Sequence, residues 1–503
     1  MQNKVQLITY VDRLSGGGFK ELRALLDGPL AGVFGGVHLL PFFDPIDGAD
    51  AGFDPVDHTR VDPRLGDWDD VRAIARRLDV MADVIVNHVS CESPQFLDYA
   101  QRGAASPHAG LFLSFDRVFP EGAREADLLR LYRPRPGLPL RDAVLAGGER
   151  RILWSTFTPQ QLDIDVTHPA GQAYLEAILQ RLSESGVRMV RMDAVGYAIK
   201  KAGTDCFMLP ETFAFIDRFS ARARALGMEV LVEVHSHHSR QIEIADRVDW
   251  VYDFALPPLL LHAFAYGTAT ALRHWIDIRP NNALTVLDTH DGIGIIDIGA
   301  DAADREGRPG LVPPDELDGL VERIHQASRG ESRLATGAAA SNLDLYQVNC
   351  SFHAALGGDD LAYLLARAVQ FFLPGIPQVY YVGLVAGGND LALLRETGVG
   401  RDINRHRFAP GEAEAALARP AARELLRLIR LRNESPAFDG CFRALPAAEQ
   451  AISLEWTNGD HAARLSVDFR SLAYEIDLLD GGVPRTFRFE LDAQARAPAP
   501  AAS

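Results

Sequence analysis

A barrel of eight parallel β-strands wrapped by crossover helices, a (β/α)8 (TIM) barrel, is the fold class this sequence predicts. Three observations point to it. Short β-branched, apolar runs recur eight times, helical-period stretches lie between several of them, and near the C-terminus the pattern turns to strict alternation. The chain has 503 residues, 47% hydrophobic and 24% charged, which suits one large core with appended modules.

In order, the runs are Val5–Thr9, Val37–Phe42, Val80–Val86, Met189–Met192, Val230–Val234, Val251–Phe254, Leu284–Leu287 and Val369–Leu373. Between the second and third, Val71, Ile74, Ala75 and Leu78 repeat at helical spacing, with Asp67 as N-cap. Leu175, Ile178, Leu179 and Leu182 repeat likewise before Gly186, as do Phe215, Ile216, Phe219, Ala223 and Leu226 before Gly227. These stripes read as core faces and carry no chemistry. Strand, helix, strand in repetition implies a parallel sheet, and eight such units close into a barrel.

The spacing is uneven. Long intervals follow the third and seventh runs, and both fall after strands, on the face where barrel active sites form. The expected organisation is therefore a barrel built from 1–86, 168–292 and 358–437, with insertions at 87–167 and 293–357. From 438 to 503, Ile452, Leu454 and Trp456 alternate, Asn458-Gly459 follows, and Ala463, Leu465 and Val467 alternate again. That is a hairpin signal, and it predicts a C-terminal antiparallel β domain.

Lys plus Arg total 51 against 68 Asp plus Glu, a formal charge of −17. A general nucleic-acid or anionic-membrane binder needs a basic face, so the balance argues against both partners. Cys91, Cys206, Cys350 and Cys441 are far apart, without metal-ligand spacing, and read as reduced thiols. With no cationic leader before Val5 and no apolar run long enough to span a bilayer, the chain reads as cytoplasmic.

Polar residues cluster where the runs end. The third runs into Asp83-Val-Ile-Val-Asn87-His88, the fourth ends Arg191-Met-Asp193, the fifth Glu233-Val-His235, and the seventh Asp288-Thr-His290-Asp291-Gly292. Taken singly, each carboxylate reads as an ion pair or a cap. Three of them at the same face, beside Arg191 and two histidines, read as a site. Retaining glycoside chemistry needs one carboxylate to attack the anomeric carbon and another, about 5 Å away, to protonate the leaving oxygen. Arg191 is expected to orient Asp193 and keep it ionised.

The blocks Asp83–His88, Val190–Asp193, Glu233 and His290-Asp291 resemble the four signature regions of the α-amylase family of glycosidases (glycoside hydrolase family 13), and Leu373–Gly383 resembles that family's final strand. The stretches Val5–Tyr10, Gly48–Pro55, Tyr132–Pro139, Phe157–Gln161, Ser341–Gln347 and Gly400–Arg405 resemble its sucrose phosphorylase branch over nearly the whole chain. Two positions depart from the wider amylase pattern, Thr289 before the His-Asp pair and Gln161-Leu-Asp-Ile-Asp165; both are similar to the phosphorylase branch. No metal site is claimed.

The resemblance implies that the two insertions are domains B and B′, that the protein is a homodimer, and that no organic cofactor is required. It implies Asp193 as nucleophile, Glu233 as general acid/base and Asp291 as transition-state stabiliser. Substrate contacts follow residue by residue: Asp50 and Arg401 on the outer sugar hydroxyls, Phe53 and Phe157 as the apolar wall, and His88, Arg191 and His290 on the reacting side. Gln161, His235 and Asp344 complete the set. Arg135, Tyr197, Tyr346 and Gln347 are the implied phosphate or acceptor contacts. Read without the family, Arg133-Pro-Arg135-Pro is equally an exposed turn. The implied small molecules are sucrose, inorganic phosphate, α-D-glucose 1-phosphate and D-fructose, with the loop around Leu343-Asp344 alternating between fructose-binding and phosphate-binding arrangements. The alternatives left open are a phosphorylase for sucrose 6′-phosphate, glucosylglycerol or glucosylglycerate, and an α-glucoside hydrolase or transglucosidase.

Overall fold

The computed structural model describes residues 1–47, 50–134, 137–301, 307–336 and 347–491. Eight parallel strands close into a barrel: β1 (Gln6–Thr9), β2 (Gly36–Leu39), β3 (Asp79–Ile85), β4 (Val187–Asp193), β5 (Glu229–Val232), β6 (Trp250–Asp253), β7 (Ala283–Thr285) and β8 (Ile376–Tyr380). Each lies beside its neighbour in sequence, and β8 closes on β1 through Gln6↔Gln378, Leu7↔Val379 and Ile8↔Tyr380. Inside that seam the Gln378 amide donates to Gln6 Oε1 at 2.8 Å, so the closure carries a hydrogen bond between two buried side chains.

Seven of the expected runs coincide with barrel strands to within a few residues. The eighth does not. Val369–Leu373 belongs to a helix, α4 (Asp360–Phe372), and the strand starts at Ile376. The last eleven residues of α4 are all buried, and its final stretch, Val369–Leu373, is a short apolar run of the kind that cannot be told from a strand by its letters alone. The stretch matched to the family's final strand, Leu373–Gly383, contains the true β8.

The helices form where the caps and stripes placed them. In α1 (Trp68–Ala75) the Asp67 carboxylate accepts from the amides of Asp69 and Asp70. The stripes of α2 (Pro169–Glu184) and α3 (Pro210–Ala225) face the core, each with proline in its first turn. Gly186 (φ +80°) and Gly227 (φ +81°) then take the left-handed conformation that turns the chain into the next strand.

Within 87–167, His88–Ser90 pairs with Gln161–Asp163 and Leu140–Val144 with Arg150–Trp154. Within 293–357, Ile293–Gly294 pairs with Gln347–Val348, beside a helix at Pro314–Ala327. The C-terminal region is a five-stranded antiparallel sheet from Cys441 to Phe487. Its hairpin keeps Asn458 paired with His461, so the turn residues are Gly459 and Asp460, one position later than the Asn-Gly signal suggests. Trp456 anchors this sheet to the barrel layer by donating its indole N–H to the Phe372 carbonyl at 2.7 Å. Among the described residues no helix is long and apolar enough to cross a membrane.

Candidate active site

Asp193 is the last residue of β4, Glu233 follows β5 directly, and His290-Asp291 lie in the segment after β7. All three carboxylates line one cavity of about 320 Å³, the size of a small-molecule site. Arg191 organises its floor. Its Nη1 bonds Asp193 Oδ1 at 2.9 Å and Asp83 Oδ1 at 2.5 Å, and its Nη2 lies 3.8 Å from Glu233 Oε1. One guanidinium thus holds the two central carboxylates on the same side of the barrel mouth. Behind it, His38 Nε2 meets the other oxygen of Asp83 at 3.0 Å. Although burial works against it, His38 and Arg191 lower the Asp83 carboxyl to about 2.

The turn after β4 is tight. Ala194 adopts φ +56°, a conformation uncommon outside glycine, and its N–H points to Glu233 Oε2 at 3.4 Å. Glu233, His235 and Asp291 each offer an atom within 4.8 Å of the others. Arg401 Nη1 lies 2.7 Å from Asp291 Oδ1. Despite burial, Arg401, His290, His235 and Arg191 hold the Asp291 carboxyl far below the usual range.

Arg191 does not by itself keep Asp193 ionised. Burial pushes that carboxyl well above its ordinary value; Arg191 opposes, while Glu233, Asp83 and Asp291 reinforce the rise. A carboxylate attacks carbon only when free of its proton, so the Arg191 contact works toward the reactive form of Asp193 and burial works against it.

The wall is aromatic. Phe53 stacks on His290 with centroids 4.6 Å apart and planes at 9°, and Phe157 contacts His88 at 5.3 Å and Tyr197 at 5.1 Å. His88 Nε2 faces the Phe53 carbonyl at 2.9 Å, which fixes the ring against the wall. Burial holds His290 at about 3 and lowers His88 too, so both rings stand neutral at neutral pH.

Of the substrate and acceptor contacts implied by the resemblance, Asp50, Phe53, His88, Phe157, Tyr197, His235, His290 and Arg401 line this cavity. Arg191, Gln161 and Gln347 stand behind the lining. Gln161 donates toward the Phe53 carbonyl at 3.5 Å, and Gln347 accepts from Gly292 N–H at 3.3 Å and Arg401 Nη2 at 3.4 Å. They brace neighbours that face the cavity. Arg135, Asp344 and Tyr346, together with Leu343, lie outside the described residues.

Residues the motifs did not single out complete the site. Tyr132 and Phe207, 4.6 Å apart, extend the aromatic wall past Tyr197, and Ile295, Ile296 and Leu317 form an apolar rim. Only Tyr132 had a signal, its place in the Tyr-Arg-Pro block. Lys200 ties 87–167 to the loop after β4, its Nζ 2.6 Å from Asp163 and 2.9 Å from Asn87 Oδ1.

Residues 32–243 match the α-amylase catalytic domain. The chain is 60% identical to a sucrose phosphorylase of Agrobacterium vitis, over 93% of this chain and 96% of the relative. It is 53% identical to one from Bifidobacterium adolescentis, over 93% and 92%. The crystal structure of a sucrose 6F-phosphate phosphorylase from Thermoanaerobacter thermosaccharolyticum superposes with a TM-score of 0.89 at 36% identity, covering 97% of this chain and 98% of that one. The chain belongs to the sucrose phosphorylase family, within the α-amylase-type (β/α)8 enzymes.

Proposed function

We propose that this protein catalyses the reversible phosphorolysis of sucrose to α-D-glucose 1-phosphate and D-fructose, with retention. The observation that carries this reading is the gathering of Asp193 and Glu233 on one guanidinium at the mouth of the barrel. The sugar is bound with its glucosyl ring deepest, against Phe53 and Phe157, and Asp50 and Arg401 take its outer hydroxyls. Glu233 protonates the glycosidic oxygen while Asp193 attacks the anomeric carbon from the opposite face. Fructose leaves, and a β-glucosyl ester on Asp193 remains. A phosphate oxygen then attacks the same carbon, Glu233 takes the acceptor's proton, and the second inversion restores the α configuration. Asp291, kept anionic, faces the positive charge that develops on the ring at each passage.

Sucrose is favoured over the other glucosides by likeness: the chain is 60% identical to a sucrose phosphorylase and 36% to the sucrose 6F-phosphate enzyme. The four cysteines are free thiols, in keeping with a reducing cytoplasm. The working unit is a homodimer, as the family implies. The test is phosphate dependence: with sucrose and phosphate, fructose and glucose phosphate form in equal amounts and free glucose is minor. Equal glucose release with and without phosphate makes the enzyme a hydrolase.

A further inference from the structure

Asp297 lies in the segment after Asp291, with a fully buried carboxylate. His235 Nδ1 stands 2.9 Å from its Oδ2, while Gln241 Nε2 and the Ser236 N–H donate to its Oδ1 at 3.1 and 3.2 Å. The imidazole plane is fixed by a stack on Phe254 at 3.8 Å and 15°. Gly294 shows how closely the pair is enclosed, since a Cβ there would fall 2.1 Å from Asp297 Oδ2 and 3.1 Å from His235 Nδ1. The far nitrogen of the ring, Nε2, lies 3.8 Å from Glu233 Oε1 and 3.3 Å from the Gln347 amide nitrogen. Because the acid/base group touches the oxygen that leaves or arrives, a ring this close to Glu233 flanks the acceptor.

We propose that Asp297 is a positioning residue: it fixes His235 with its proton on Nδ1, so that Nε2 can take a proton from an incoming dihydrogen phosphate and hold the resulting dianion beside Glu233. This rests on the phosphorylase reading of the site. The proton balance closes, because the phosphate supplies the proton that then bridges Nε2 and a phosphate oxygen. Nε2 stands 3.3 Å from the Gln347 amide nitrogen, whose partner oxygen Oε1 is occupied by Gly292 and Arg401, so a ring with its proton on Nδ1 accepts there. Among the described residues, the groups facing the ring include Asp297, Glu233, Asp291 and Gln347, with Arg401 on Asp291 and Arg191 toward Glu233. Burial opposes charging the ring, but Asp297, by charge and hydrogen bond, and then Glu233 and Asp291 raise His235 above its ordinary value.

Asp297→Asn keeps the shape and removes the charge. The expected result is a rise of about tenfold or more in KM for phosphate, with the alkaline limb of kcat/KM for phosphate moved to lower pH. Sucrose hydrolysis without phosphate, a transfer to neutral water, stays within about threefold, less than a single hydrogen bond's worth. Equal losses with both acceptors and an unmoved limb would overturn the proposal, since a merely structural carboxylate behaves that way. If the variant does not fold, the wild-type enzyme decides. In 15N-histidine spectra taken above the pH at which the phosphate-free ring titrates, with His235 assigned by His235→Gln, the free ring is expected to carry its proton on Nδ1 and to become doubly protonated when inorganic phosphate is added. A proton on Nε2 instead, or no response to phosphate, contradicts the proposal, whereas failure to make glucose phosphate from sucrose would refute the reading beneath it.

Discussion

The guanidinium of Arg401 closes on the carboxylate of Asp291 at 2.7 Å, joining the segment beyond β8 to the segment beyond β7. Among the described residues Asp291 Oδ1 receives no aligned hydrogen bond, so the contact with Arg401 is one of charge on charge. It is also the leading influence that keeps this buried acid anionic against its burial. Arg401→Gln is therefore expected to lower kcat/KM for sucrose by about 10²–10³, the usual loss when a preorganised electrostatic partner is removed. Steady-state kinetics check it, and a change under about threefold would separate Arg401 from catalysis.

Asp193→Ala removes the attacking group. Turnover is expected to fall by about four orders of magnitude or more, leaving the residual rate supplied by the rest of the site. The fold is expected to gain rather than suffer, because a carboxyl whose ionisation is disfavoured by burial and by three other acids leaves the cluster. Kinetics paired with thermal melting test both halves, and appreciable residual turnover would remove Asp193 as the nucleophile.

His58 is buried against Phe43, at 4.5 Å between ring centroids, and neither of its nitrogens has a hydrogen-bond partner among the described residues. Burial lowers it to about 3. Between its ordinary value of about 6.5 and that point, the unfolded chain binds a proton that the folded chain refuses, so stability falls as pH falls through this window. The contribution approaches about 1.4 kcal/mol per pH unit. His58→Phe should make the slope of unfolding free energy between pH 6 and 4 shallower by up to that amount. Denaturant titrations at a series of pH values measure it, and an unchanged slope would mean His58 is not held neutral.

Arg135→Ala is expected to raise KM for phosphate about tenfold or more, with KM for sucrose changed by less than about threefold, since a bidentate guanidinium serves an oxyanion far better than a neutral sugar. Initial rates with each substrate varied in turn decide it. Parallel increases in both would assign the residue a structural part.

The three candidate acids stood out in the sequence because each ends an apolar barrel strand or lies in the segment that follows one, where a charged group has few other reasons to be. The capped helix at Trp68–Ala75 was legible for the same reason, that its cause is local. Val369–Leu373 misled because a short apolar run at the end of a buried helix reads like a strand, and only the family's Leu373–Gly383 block marked the true strand. Asp297, Gln241 and Phe254 gave no signal at all. Their chemistry comes from meeting His235, and that meeting exists only once the segment after β7 has folded back over β5. Gln161 and Gln347 carried a family signal, but the sequence could not distinguish a side chain that faces the cavity from one that braces its wall.

The most direct measurement is the configuration of the glucose phosphate formed from sucrose and inorganic phosphate, read by NMR early in the reaction before it equilibrates. Two displacements through Asp193 give the α anomer together with an equal amount of fructose. The β anomer, or no glucose phosphate at all, would contradict a nucleophilic Asp193 working opposite Glu233.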